Sequence, residues 1–177
     1  ALFEGENQMH TKEVEFEKTD SSFTLAFNNG SNTYRTLEVN NPGEVSFEFQ
    51  GLNEKIQYYL VESHYWEWYE YHLIDKQTGH TDTIWTKPYF SPDNKTLISK
   101  SVNWGLAGVP NGYQIWKLDN HNRWQKVVHI DQQEWVPLDF RWISNKAFII
   151  KKAETIDYAD EYMDIEPYAF YEEVLVK

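Results

Sequence analysis

Alternation with period two, repeated along nearly the whole chain, restricts its fold more than any other feature. Val14 and Phe16 alternate with Glu13, Glu15 and Glu17, and Phe23, Leu25 and Phe27 alternate with Thr24 and Ala26. Val45, Phe47 and Phe49 then alternate with Ser46, Glu48 and Gln50, and strand character returns at 56–60, 115–118 and 127–130. Successive strand side chains point to opposite faces, so each run offers one apolar face to a core. An apolar stripe of helical period never runs beyond two turns, and the best helical stretch, 155–163, is poor. Between the runs stand Asn28-Asn29-Gly30-Ser31-Asn32, Asn40-Asn41-Pro42-Gly43, Asp75-Lys76-Gln77-Thr78-Gly79, Ser91-Pro92-Asp93-Asn94 and Asp119-Asn120-His121-Asn122. Asn, Asp and Gly tolerate positive φ and bond their own backbone, as hairpin turns require. The expected class is all-β. Composition agrees, since 8 Trp, 12 Tyr and 10 Phe make up 17% of the chain and aromatic side chains suit pleated surfaces.

The runs also repeat. Asn53-Glu54-Lys55, Asp93-Asn94-Lys95 and Ser144-Asn145-Lys146 each form a turn opening into an apolar strand, at 56–61, 96–102 and 147–153. A variable connector follows, then a second strand starting near Tyr69, Tyr113 and Tyr168. The first two of these end alike, in Leu73-Ile74-Asp75 and Lys117-Leu118-Asp119, before a polar turn. Trp85-Thr86-Lys87-Pro88 and Trp135-Val136-Pro137 mark the start of the next unit. A period of about 40–50 residues with four strands per unit is the layout of a propeller blade.

The stretch Tyr89-Phe90-Ser91-Pro92-Asp93-Asn94-Lys95-Thr96-Leu97 resembles the repeat of TolB-like, WD-type β-propellers, with Asn94 where that family usually has glycine. Trp142-Ile143-Ser144-Asn145-Lys146-Ala147-Phe148 is a degenerate second copy. The resemblance covers roughly 53–177, implies blade-like hairpins and carries no catalytic residues. More distantly, the whole chain is similar to small exported proteins of uncharacterised role from Bacteroidota-type bacteria, which implies an exported, periplasmic or cell-surface setting. About three units fit, fewer than the four blades of the smallest closed propellers. The expectation is therefore antiparallel four-stranded meanders in an open, propeller-like stack, with a β-sandwich as the alternative. An N-terminal β segment at 1–44 would cover one end of a blade-like domain at 45–177.

Charge and composition exclude several functions. Asp plus Glu number 28 against 16 Lys plus Arg, a formal charge of -12, and a potential of that sign repels nucleic-acid phosphates. No apolar run approaches the roughly 20 residues of a membrane-spanning helix, and nothing at Ala1 reads as a signal peptide. With no cysteine, disulfides, thiol catalysis and cysteine-ligated zinc are impossible. Neither a phosphate loop nor a catalytic or calcium-binding motif is present. The six histidines are scattered without a metal-ligand spacing. No catalytic residue, metal or cofactor is expected.

Three connectors stand out. In Tyr65-Trp66-Glu67-Trp68-Tyr69-Glu70-Tyr71 an extended backbone would put Trp66 and Trp68 on one face and Tyr65, Glu67, Tyr69 and Tyr71 on the other. One such face suits stacking on a sugar ring or peptide, with Glu67 accepting from hydroxyls, while the other pairs into the core. Residues 103–112 form a glycine-rich loop carrying Trp104 and other apolar residues, which either tuck beneath it or mark a contact site. The third connector holds Tyr158, Asp160, Glu161 and Tyr162 within an acidic run that reads as a solvated loop. Measured from the turn lysine to the second strand, the connectors span 14, 18 and 22 residues, and equivalent slots of stacked meanders emerge on one edge. The expected function is a non-enzymatic binding module recognising a protein or glycan through that edge. The alternatives are a carbohydrate-active enzyme using paired carboxylates and a structural subunit whose open strand edges pair with another chain.

Overall fold

A computed structural model describes residues 17–103, 108–154 and 169–176. Among the described residues there is no helix, and the strands run β1 (Glu17–Lys18), β2 (Ser22–Phe27), β3 (Gly30–Arg35), β4 (Ser46–Asn53), β5 (Tyr58–His64), β6 (Tyr69–Asp75) and β7 (Thr81–Ile84) in the first part of the chain. The second part holds β8 (Tyr89–Phe90), β9 (Thr96–Ser101), β10 (Gly112–Leu118), β11 (Trp124–Asp131), β12 (Trp135–Ser144), β13 (Ala147–Glu154) and β14 (Ala169–Leu175). They form four sheets, ordered β1-β2-β3, β4-β5-β6-β7, β11-β10-β9-β8 and β12-β13-β14, and every described pairing is antiparallel. The protein is all-β. Two of the sheets have the expected four strands and the other two have three.

The three recurrent turns share one physical cause. In each, the first side chain accepts the backbone N–H two residues on: Asn53 Oδ1 from Lys55 at 3.2 Å, Asp93 Oδ1 from Lys95 at 3.1 Å, and Ser144 Oγ from Lys146 at 3.2 Å. Such side-chain turns compete with strand pairing and so end one strand and start the next. In the middle copy Ser91 Oγ donates to Asp93 Oδ1 at 2.7 Å and accepts Thr96 N–H at 3.0 Å. Asn94 takes φ 59°, the left-handed conformation that glycine or asparagine adopts most readily. Asp75 and Asp119 close the alternate turns alike, Asp75 accepting from Gln77 N–H and Asp119 from the N–H groups of His121 and Arg123. Those backbone bonds, Arg123 first, hold the exposed Asp119 carboxyl below the usual range.

The chain divides into two compact units, and the described residues fall into them at 17–87 and 88–176. In the first unit Phe23 and Leu25 of β2 share a buried cluster with Leu52, Tyr59, Val61 and Ile74 of the four-stranded sheet. The N-terminal hairpin is thus one layer of a two-sheet pack. Phe23 stacks on Tyr34 at 5.1 Å, and Tyr59 donates its hydroxyl to the Ala26 carbonyl at 2.9 Å. In the second unit Ile98, Tyr113 and Ile115 of one sheet share a core with Phe140, Phe148 and Ile150 of the other. Each unit is a pair of sequential meanders face to face, as sheets buried on one side demand. Tyr89 lies against this second core, where burial first, and then the Asp139 charge, push its phenol up to about 12.

Two buried polar side chains of the second unit, Asn111 and Lys152, are each held by several partners. Buried Asn111 donates Nδ2–H to the carbonyls of Gln132 and Trp135, both at 2.7 Å, and its N–H to Asp131 Oδ1 at 2.9 Å. Lys152, also buried, holds its ammonium 4.0 Å above the Trp135 ring and pairs with Glu172.

Candidate functional site

The aromatic segment at 65–71 is a hairpin tip rather than one extended strand, which corrects the sequence expectation. Strands β5 and β6 pair in unbroken register from Tyr58 opposite Asp75 to His64 opposite Tyr69. Only 65–68 remain to cross between them, and the Tyr65 N–H closes the loop on the Trp68 carbonyl at 2.8 Å. Period two read Trp66 and Trp68 as neighbours on one face because it carries no signal for a reversal inside an aromatic run. In the hairpin Trp68 folds back onto Tyr65, the rings parallel within 5° at a centroid distance of 3.9 Å. The two rings are stacked face on face, so each covers one face of the other.

A hydrogen-bond chain anchors the stack from beneath. Tyr65 donates its hydroxyl to Glu70 Oε1 at 2.9 Å, and the same oxygen lies 3.1 Å from His72 Nε2. His72 Nε2 in turn lies 3.1 Å from Ser63 Oγ, which is fully buried. Burial, then the Glu70 bond and charge, raise the Tyr65 phenol above its ordinary value. His72 thus faces neighbouring side chains. At this end of the hairpin Trp66, Trp68 and Tyr69 remain 50%, 51% and 50% exposed, and Glu67 is also exposed.

The sheet face carrying Tyr69 and Tyr71 adds a second group of side chains at the same end of the hairpin. Register puts Glu48 of β4 opposite Glu62 of β5 and Glu62 opposite Tyr71 of β6. The next row sets Ser46 opposite His64 and His64 opposite Tyr69. Glu62 Oε2 accepts from the Tyr71 hydroxyl at 2.7 Å and from Gln50 Nε2 at 2.8 Å. Its other oxygen lies 3.5 Å from His64 Nε2, and Glu48 Oε2 lies 3.8 Å from that nitrogen. Burial first, then the Glu62 hydrogen bond and charge, push the Tyr71 phenol far above its ordinary value. Its proton therefore stays on the tyrosine and its hydroxyl remains a donor.

Sequence reasoning named Tyr65, Trp66, Glu67 and Trp68 and missed Glu48, Glu62 and His64. The available signal was Glu62-x-His64, a spacing that puts two donors on one strand face. Glu48 enters only through the β4–β5 register, which sequence spacing does not reveal. Trp104, Tyr158, Asp160, Glu161 and Tyr162 lie outside the described residues. The stem of the glycine-rich loop is described: Asn103 donates Nδ2–H to the Val109 carbonyl at 2.8 Å, and its N–H goes to Asn111 Oδ1 at 3.3 Å. Comparison with protein-family models, with curated proteins and with solved structures returns no match.

Proposed function

We propose that this chain is a non-enzymatic binding module that recognises carbohydrate through the aromatic tip of the β5–β6 hairpin, in an extracytoplasmic setting where polysaccharide is met. One observation carries the reading: half-exposed Trp66 and Trp68 stand on a four-residue connector closed by its own backbone bond and by the Tyr65–Trp68 stack, with half-exposed Tyr69 opening the strand that follows. Exposed rings gathered in one patch usually mark a contact surface. The C–H face of a sugar packs on the face of an aromatic ring, and polar groups at the rim select its hydroxyls. Glu67 is such a rim acceptor. Because the platform is ordered before binding, little side-chain freedom is lost on association. The charge of -12 disfavours polyanionic glycans by the same repulsion that disfavours nucleic acid, so the favoured ligand is a neutral polysaccharide.

The test is tryptophan fluorescence of the full chain titrated with a panel of neutral and charged oligosaccharides. A member of the neutral set is expected to perturb the emission. Burying an aromatic ring is worth about 1.5–3 kcal/mol, so Trp66→Ala is expected to weaken that binding at least about tenfold. Exposed substitutions leave stability within about 0.5 kcal/mol, so the melting curve of Trp66→Ala should overlay that of the parent. No response across the panel, from a protein that dimerises with concentration in light scattering, would overturn the proposal. It would favour an assembly subunit pairing through β14, the last strand of its sheet, where Tyr171 and Leu175 are exposed.

A further inference from the structure

We infer that Glu48, Glu62 and His64 form a binding site for a divalent transition-metal ion of the zinc type. The inference is independent of the carbohydrate reading, since its readout is the metal itself. The three ligand atoms lie within 4.8 Å of one another. A tetrahedral ion with bonds of about 2.0–2.2 Å needs its donors about 3.3–3.6 Å apart. His64 Nε2 stands 3.5 Å from Glu62 Oε1 and 3.8 Å from Glu48 Oε2, so two edges of such a tetrahedron are nearly in place. Glu48, the most exposed of the three, is free to complete the third by a small side-chain rotation.

Two further observations point to a cation here. Glu48 and Glu62 are direct cross-strand partners, and like charges so placed are destabilising unless a positive charge lies between them. The oxygen of Glu62 that faces away from His64 is held by two outside donors, Tyr71 and Gln50. This arrangement fixes a ligating carboxylate in metal centres, because outer partners orient the ligand and leave its other oxygen for the ion. The donor set decides the class of metal. Calcium and magnesium prefer six or more oxygen ligands, whereas one imidazole with two carboxylates suits zinc and its neighbours. Three protein ligands leave a fourth position for water or for an oxygen of a bound molecule.

The competing account is a simple ion pair between a protonated His64 and the two glutamates. Calorimetric titration of the chelator-treated full chain with Zn²⁺, and absorption spectroscopy with Co²⁺, separate the two. The expected result is one equivalent of Zn²⁺ bound, with visible Co²⁺ bands that Zn²⁺ displaces. Removing an outer partner of a ligand typically weakens metal binding about 10–100-fold. Tyr71→Phe should therefore weaken it by about tenfold, and His64→Ala by more than about 100-fold. Glu48→Gln changes an exposed side chain and should lower affinity without altering the fold, so it stands in if His64→Ala folds poorly. His80→Ala, which removes a histidine paired instead with Asp82, should bind as the parent does. Absence of Zn²⁺ binding, undiminished binding in both His64→Ala and Glu48→Gln, or a preference for Ca²⁺ or Mg²⁺ over Zn²⁺ would overturn the assignment.

Discussion

Gly112→Ala is expected to destabilise the protein by about 3–5 kcal/mol, as measured by urea denaturation. Gly112 opens β10 with φ +147°, and a Cβ built there would lie 2.1 Å from the Ile130 carbonyl oxygen and 2.9 Å from its carbon. Holding a side chain at that φ costs of order 1–3 kcal/mol, and forced overpacking adds about 1–3 more. Relief would need the backbone to move, and the surrounding bonds prevent it. Gly112 pairs with Asp131. One residue earlier, Asn111 receives the Gln132 N–H on its carbonyl at 2.8 Å and donates its own N–H and side chain to Asp131, Gln132 and Trp135. The neighbouring backbone is clamped on both sides. A loss under about 1 kcal/mol would show that this corner yields more easily than its hydrogen bonds imply.

Phe148→Ala should have an effect of similar size, again about 3–5 kcal/mol, the usual range for removing a buried phenylalanine ring. Phe148 is fully buried at the centre of the second core. Its ring meets Trp142 at 5.4 Å, Phe140 at 5.6 Å and Tyr113 at 6.0 Å, the first and last edge-on. Those neighbours are themselves tied down, Trp142 donating Nε1–H to the Tyr89 carbonyl at 2.9 Å. They cannot collapse freely into the space left, and the penalty should sit near the top of the range. Leu175→Ala, at a side chain 69% exposed, should change stability by no more than about 0.5 kcal/mol. Equal losses in the two variants would contradict the placement of the core.

Much of this architecture is legible in the amino-acid order because its causes are local. Asn53, Asp93 and Ser144 each bond the amide two residues on, so the turn signal and the turn chemistry are the same residues. The strands that follow begin within two residues of where alternation places them. The exposure of Trp66 and Trp68 was open to expectation but their geometry was not. A reversal between His64 and Tyr69 is dictated by the pairing of β5 with β6, and aromatic residues carry none of the glycine or asparagine marks of a turn. The Glu48–Glu62–His64 group was hidden for a related reason. A bulge between Phe49 and Gly51 sets how β4 meets β5, and such register shifts leave little trace in a hydrophobic pattern. What depends on neighbours in sequence could be read; what depends on neighbours across a sheet could not.

The most direct test of the carbohydrate site follows individual indole N–H signals in a ¹H–¹⁵N spectrum while a neutral oligosaccharide mixture is added. Eight tryptophans give eight such reporters, distributed over both units. The account predicts that the signals of Trp66 and Trp68, identified by their loss in Trp66→Ala and Trp68→Ala, move in a saturable way, while those of buried Trp116 and Trp124 stay fixed. Saturable shifts confined to tryptophans away from the β5–β6 tip, with Trp66 and Trp68 unmoved, would contradict it.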